Sequence, residues 1–413
     1  MHEKAVNFKD ITDFFESLIE LGDDFYKLDA LRLNKLAAKQ GLHLPPWFQG
    51  SIRCAEKLKN KTDLAFPLLG KTEHAEMASD PQISSMRFSL IQEYWPQFTY
   101  LYFPMCGLGL DLLNALPLAK EHCQIAASDL DKDILKCSAY NFKKLEKKIH
   151  FFCHDSITRS PLKNTISNCY AFFDPARRKG SEKLSKHSYI PSLDSCISEA
   201  ELFDVAQIKL SAKEDIPSLE AYYPEWTWHA LAINQDVKEI CGTYFKNNSK
   251  QRPRGLLHYH SNSQTKTHFE INSQEVVPSI IKSDTEKNYL ILWNPVLYNS
   301  HLKEHFEQCL NLNLETSDGF TLTQTYFEHP LLQCFEIVEQ SALHIKTLKK
   351  HLSPYKQASI EPLRSHSEHN AALINKIQPL LKKKTKTTRE NLFLLPYSIR
   401  KSQSCFILKD LRD

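Results

Sequence analysis

The chain has 413 residues, 42% apolar and 24% charged, which fits a globular protein of two or three domains and excludes a disordered tail. Only 10 glycines are present, so collagen-like and glycine-repeat architectures are excluded and each glycine becomes informative. A formal charge of +3 supplies no whole-molecule field, and any nucleic-acid or membrane partner must be met by a local patch.

In chain order, residues 1–95 read as helical. Asp10 is placed to cap a helix carrying Phe14, Phe15, Leu18 and Leu21, with Gly22 as its stop. Asp24 to Gln40 spaces Phe25, Leu28, Leu31 and Leu36 at helical intervals before Gly41, and Pro45, Pro46 and Pro67 divide the next stretch into shorter pieces. At Phe98 the pattern changes. The apolar run 98–103 reads as a strand ending at Cys106-Gly107-Leu108-Gly109, and Leu110 to Lys120 reads as a helix. Strands over 124–128, 150–153, 169–173, 206–210 and 227–233, with an amphipathic helix over 131–148, predict βαβ units and a mainly parallel sheet covered on both faces. Residues 246–275 are polar and lose this rhythm. After a boundary near Ser283, strands at 289–293 and 333–338 alternate with helices at 302–312 and 342–352, an α+β pattern. The predicted division is therefore a helical region 1–95, an α/β domain 96–282 and an α+β domain 283–413.

The 11 cysteines form no CxxC pair and mostly sit in apolar runs, as buried cytosolic thiols do. The N-terminus has no signal-peptide core and no apolar stretch approaches 18 residues, so a cytoplasmic protein with no membrane partner is expected. His258-Tyr259-His260 and His366-Ser367-Glu368-His369 lack a third or fourth ligand at metal spacing, so no metal site is expected.

Ligands of open α/β sheets sit at the carboxyl ends of the strands, and four such ends carry suitable residues. Gly107 and Gly109 let a ligand approach the backbone at a helix start, or simply make a tight turn. Asp129 is positioned to accept from both ribose hydroxyls of a nucleotide-like cofactor, or to cap the following helix beside Asp131. Asp155 comes after the third strand, where an adenine amino group could be read or a turn carboxylate placed. The fourth end, Phe172-Phe173-Asp174-Pro175-Ala176-Arg177-Arg178-Lys179, holds a carboxylate rigidly before proline and adds three cations.

This order resembles class I S-adenosylmethionine-dependent methyltransferases with a Rossmann-like sheet. The Asp-Pro-Ala-Arg-Arg run, with Ile208-Lys209-Leu210-Ser211, Asp215-Ile216 and Val237-Lys238-Glu239, resembles the bacterial methyltransferase family with a C-terminal THUMP-like domain. The likeness spans about residues 75–413, with 283–413 as the THUMP-like module. It implies methyl transfer from S-adenosylmethionine to RNA, on a base nitrogen. It places Asp129 on the ribose, Asp155 on the adenine, and Gly107 and Gly109, helped by Asp111, at the methionine portion. Asp174 would orient the acceptor nitrogen with the Pro175 carbonyl, and Arg177 and Arg178 would meet acceptor phosphate, with Lys382 to Arg389 a distant anchor. The family's first motif opens on Asp and carries Gly-Gly, where this chain has Phe103 and Cys106. Those departures favour a second reading, a catalytically silent methyltransferase fold serving as an RNA-binding or scaffold protein.

Overall fold

The computed structural model describes residues 7–59, 61–62, 64–94, 98–119, 122–155, 168–176, 178–179, 182–183, 188–246, 254–270, 279–283, 288–309, 320–355, 358–362, 370–381, 390–399 and 402–410. The chain forms two compact units, one of 1–231 with 238–252, the other of 232–237 with 253–413.

In the first unit, the opening helix α1 (Phe8–Ile19) is capped by Asn7, whose side chain accepts from the Lys9 N–H, so Asp10 falls inside the first turn and is not the cap. The helix expected over 24–40 is divided: Gly22–Lys27 form a 3₁₀ turn, and α2 (Ala30–Lys39) starts afresh at Asp29, which accepts from the Arg32 N–H. It stops at Gly41, where a φ of +70° suits glycine. Next come α3 (Ser51–Lys59), α4 (Thr72–Met77) and α5 (Pro81–Tyr94).

The sheet of this unit holds β1 (Tyr100–Pro104), β2 (Gln124–Asp129), β3 (His150–Cys153), β4 (Cys169–Phe173), β5 (Val205–Ser211), β6 (Thr227–Ile233) and β7 (Asp236–Phe245). Their order is β3-β2-β1-β4-β5-β7-β6; the first five are parallel, and β7 runs antiparallel to β5. β1 and β4 are buried along their whole length, as strands covered on both faces must be, which is why they read as continuous apolar runs. α6 (Leu110–Ala115) and α7 (Lys132–Lys144) link β1 to β2 and β2 to β3. α7 has two apolar faces. Phe142 packs into the sheet core with Phe88, Leu101, Phe103 and Phe172, while Ile134 and Cys137 join the core of the N-terminal helices around Phe14, Phe15 and Phe48. On the opposite sheet face Tyr102 and Phe173 pack at a tilt against Phe203, beyond α8 (Leu193–Ala200). The sheet, with helices on both faces, is a mixed α/β, Rossmann-like arrangement.

The second unit contains a hairpin, β8 (Gly255–His260) and β9 (Thr265–Glu270), inside the stretch expected to be irregular. Its polar alternation hid it: Leu256, Leu257 and Phe269 are buried while Lys266 and His268 on β9 point to the polar side of the repeat. A six-stranded sheet is built on β11 (Tyr289–Trp293), β12 (Phe320–Thr323), β14 (Leu332–Ala342), β15 (Ala358–Pro362), β16 (Glu390–Ile399) and β17 (Ser402–Asp410); β10 (Ser279–Ser283) and β13 (Thr325–Glu328) pair separately. Its order is β12-β11-β14-β17-β16-β15, antiparallel except for β15 against β16. Among the described residues no helix is long and apolar enough to cross a membrane.

Candidate functional site

The carboxyl ends of β1 to β5 in the first unit open on one cavity of about 630 Å³, inside the usual range for a small-molecule site. Gly107, Asp111, Asp129, Asp155, Asp174 and Pro175 all line it. Gly109 stands just behind, capping α6 with φ +77°. Arg177 and the Lys382–Arg389 run lie outside the described residues, as does His366–His369. Arg178 is described only as backbone, in a short ladder with Lys183.

At the β1 end, the chain turns through Met105, Gly107 and Gly109 at φ +58°, +53° and +77°. The Gly107 N–H donates to Asp129 Oδ2 at 2.9 Å, and its carbonyl accepts from Ser138 Oγ at 2.8 Å. Asp129 Oδ1 accepts the Asp131 N–H at 2.9 Å, leaving the helix cap to Asp131, which accepts from Asp133 and Ile134. Asp129 is therefore not the cap, and main-chain N–H groups fix the orientation of its carboxylate. Phe103 is 1% exposed and packs on Phe172 and Tyr170 beneath the sheet. It faces the aromatic core, whereas Cys106 lines the cavity. Burial and the Asp129 charge push the Cys106 thiol well up, so it is a neutral thiol and no nucleophile.

At the β4 and β5 ends the site is built from charges. Lys209 Nζ, near the end of the buried β5, donates to Asp174 Oδ2 at 2.8 Å and stands 4.0 Å from Asp111 Oδ2. Asp111 accepts from Arg87 Nη1 at 2.8 Å, from Ser84 Oγ at 2.7 Å and from Ser79 Oγ at 3.2 Å. Arg87 is fully buried and grips Glu239 on β7 with Nε and Nη2 at 2.8 and 2.9 Å, its guanidinium over the Phe172 ring at 4.4 Å. Burial opposes ionisation throughout this cluster. At Asp111 it is outweighed by Arg87 and Lys209, which hold the carboxyl well below the usual carboxylate range. Burial likewise works against Lys209, but Asp174, Asp111 and Glu239 raise it and keep the ammonium charged. At Glu239 burial prevails over Arg87 and moves the carboxyl upward.

Sequence reasoning assigns Arg87, Lys209 and Glu239 no role in the site. A lysine inside Val-Ala-Gln-Ile-Lys-Leu-Ser is a usable signal, because a strand buried on both faces does not hold an ammonium without a carboxylate partner. Arg87 gives none, since a helix accommodates arginine anywhere. The N-terminal region also contributes: His74 and Met77 of α4 line the cavity, and burial lowers His74 so that its imidazole is neutral. Lys61 holds the end of α4 by donating to the carbonyls of Ala75 and Ala78.

The fold and site thus define a Rossmann-like α/β protein with an acid-lined cavity at the ends of its parallel strands. No protein-family model matches the chain, and no curated protein matches it. Among solved structures it is similar to a "putative methyltransferase" from Porphyromonas gingivalis W83, at 17% identity and TM-score 0.66, over 89% of this chain and 92% of that one. That match shows a shared fold along nearly the whole chain. Smaller likenesses, which carry no argument, are to a "putative RNA methyltransferase" from Pyrococcus horikoshii (14% identity, TM-score 0.30, 48% of this chain and 98% of that one) and an rRNA methylase from Streptococcus thermophilus (10%, 0.30, 40% and 96%).

Proposed function

We propose that the chain is a class I S-adenosylmethionine-dependent methyltransferase acting on a base nitrogen of RNA. The observation that carries this reading is the convergence of Gly107, Asp129, Asp155 and Asp174 with Pro175 on a single cavity. The fit to the donor rests on charge: among the described residues Glu76, Asp111, Asp129, Asp155 and Asp174 line that cavity with Lys209 as the lining ammonium, while Lys57 pairs with Glu76 and Arg87 with Asp111 from behind. A ligand carrying both a sulfonium and an ammonium is what such a lining favours.

When bound, S-adenosylmethionine supplies an electrophilic methyl group: the bond to sulfur breaks with its electron pair as the bond to the acceptor nitrogen forms, and positive charge passes to that nitrogen. Asp129 would accept the ribose hydroxyls, its carboxylate already oriented by the Gly107 and Asp131 N–H groups. Asp155 would take the adenine amino group, and the Gly107–Gly109 turn with Asp111 the methionine portion. Asp174, tied to Lys209 through Oδ2, keeps Oδ1 for an N–H of the acceptor. Its charge lies where positive charge develops and stabilises it. Arg177 and Arg178, with Lys382 to Arg389, would meet RNA phosphates. The 283–413 segment is proposed as the THUMP-like module of such an enzyme, and the protein as cytoplasmic.

Calorimetric titration with S-adenosylmethionine tests this directly. Wild type should bind, and Asp129→Ala should weaken binding by about 1.5–3 kcal/mol, the loss expected for hydrogen bonds to a charged acceptor. Labelled methyl should then pass to a cellular RNA pool. Donor binding without transfer to RNA would leave a methyltransferase of another acceptor. RNA binding without any donor binding would favour the catalytically silent reading.

A further inference from the structure

The cluster beneath the cavity is not neutral. Among the described residues Asp111, Asp174 and Glu239 bring three negative charges and Arg87 and Lys209 two positive ones, all within a continuous chain of ion pairs. Four of the five side chains are almost wholly enclosed. Asp111 and Lys209 reach the cavity wall, and Asp174, about a third exposed, is the member most open to it. The neighbouring titratable groups do not change the balance. Tyr170 and Cys241, both buried against Arg87, are pushed up and stay neutral. Lys61 senses Lys209, but it senses the Asp80 carboxylate more strongly, and those two charges offset each other.

We infer that Lys209 is a positioning residue that clamps Asp174 and, together with Arg87, leaves this cluster with one unbalanced negative charge at the cavity, so that the site holds a cationic donor in preference to its neutral by-product. The inference rests on the methyltransferase reading and adds to it a source of selectivity. Lys209 fixes one oxygen of Asp174 in place without cancelling the cluster's charge, because Asp111 already competes for the same ammonium. Transfer of the methyl group removes the positive charge from sulfur, and with it the attraction to Asp174. The same cluster that holds the donor thus loosens its grip on the by-product.

The readout is the ratio of affinities for S-adenosylmethionine and S-adenosylhomocysteine, measured by calorimetry on the full chain at pH 8. Lys209→Met should shift that ratio toward the cationic ligand by about tenfold, the order expected for a unit charge several ångström away at an effective dielectric near 20. Asp174→Asn should shift it about as far toward the neutral one. Lys209→Arg and the charge-balanced pair Lys209→Met with Asp174→Asn should both stay within about twofold of wild type. A lysine that merely supports the fold would lower both affinities together and leave the ratio alone. Should Lys209→Met not fold, Asp174→Asn and Lys209→Arg suffice. An unmoved ratio in Asp174→Asn, or shifts of the same sign in both single variants, overturns the inference while leaving the methyltransferase reading intact. Wild type that binds neither ligand overturns that reading, and the inference with it.

Discussion

At the β1–β2 end of the cavity, three elements meet through main-chain atoms: Gly107 gives its N–H to Asp129 and its carbonyl to Ser138, and Gly109 turns the chain into α6. At the β4–β5 end the joints are side-chain charges, with Arg87 and Lys209 linking α5, α6, β4, β5 and β7. The first end depends on local conformation and the second on long-range pairing in a low dielectric. Their failures should differ accordingly: local strain at one, and loss of the fold at the other.

The sharpest way to break the comparison is Arg87→Leu. Removing one partner of a buried ion pair leaves its carboxylates uncompensated, and both Glu239 and Asp111 would be stranded at once. A loss of about 3–5 kcal/mol is expected, read as a lower urea midpoint. The pH dependence has a defined sign. Asp111 is held below its ordinary 3.8, so its contribution is full above that value and is lost as pH falls through the lower native one. The variant should have less of this acid-dependent stability to lose. An unfolding free energy within about 1 kcal/mol of wild type would mean the cluster is hydrated and the contrast between the two ends is false.

The glycines test the other end. Gly109→Ala meets two obstacles: φ is +77°, and the new Cβ would lie 2.7 Å from Phe142 Cε2. Left-handed backbone and overpacking together should cost about 2–3 kcal/mol. Gly107→Ala has the strain alone, since its Cβ would touch only His74 Cδ2 at an ordinary 3.5 Å, and should cost about 1 kcal/mol. Thermal unfolding of the two variants side by side gives the difference. Equal losses would show that Phe142 moves aside freely.

The same division decides what was legible in the sequence. Strand runs such as Tyr100–Phe103 and Cys169–Phe173, the glycine turn and the acids at strand ends are short-range features, and the mainly parallel pairing follows from βαβ units, whereas the strand order was not read. The β8–β9 hairpin escaped because its apolar positions are few and its alternation is carried by His, Thr and Lys. The Gly22–Lys27 turn escaped because a helical spacing of apolar residues continues through it, while the break is made by the Asp29 cap. The charge cluster was illegible because Arg87 and Glu239 are separated by 152 residues, and nothing local marks either as the other's partner.

The finest test concerns the turn that follows β1. The sequence points to Cys106 as the position that has lost a glycine, and Cys106 lines the cavity. Yet the left-handed residue at the end of β1 is Met105, with φ +58°, and Cys106 is not among the positive-φ residues described. A non-glycine side chain held there costs about 1 kcal/mol or more. Glycine removes that strain but widens the unfolded ensemble, which returns part of the gain. Met105→Gly should therefore stabilise the protein by about 0.5 kcal/mol, whereas Cys106→Gly, at an unstrained position, should destabilise it by about as much or more. Chemical denaturation of both variants, with unchanged slope, reads the difference. Gains at Cys106 and losses at Met105 would mean that the turn at the β1 end is set by side-chain packing in the cavity and not by the backbone.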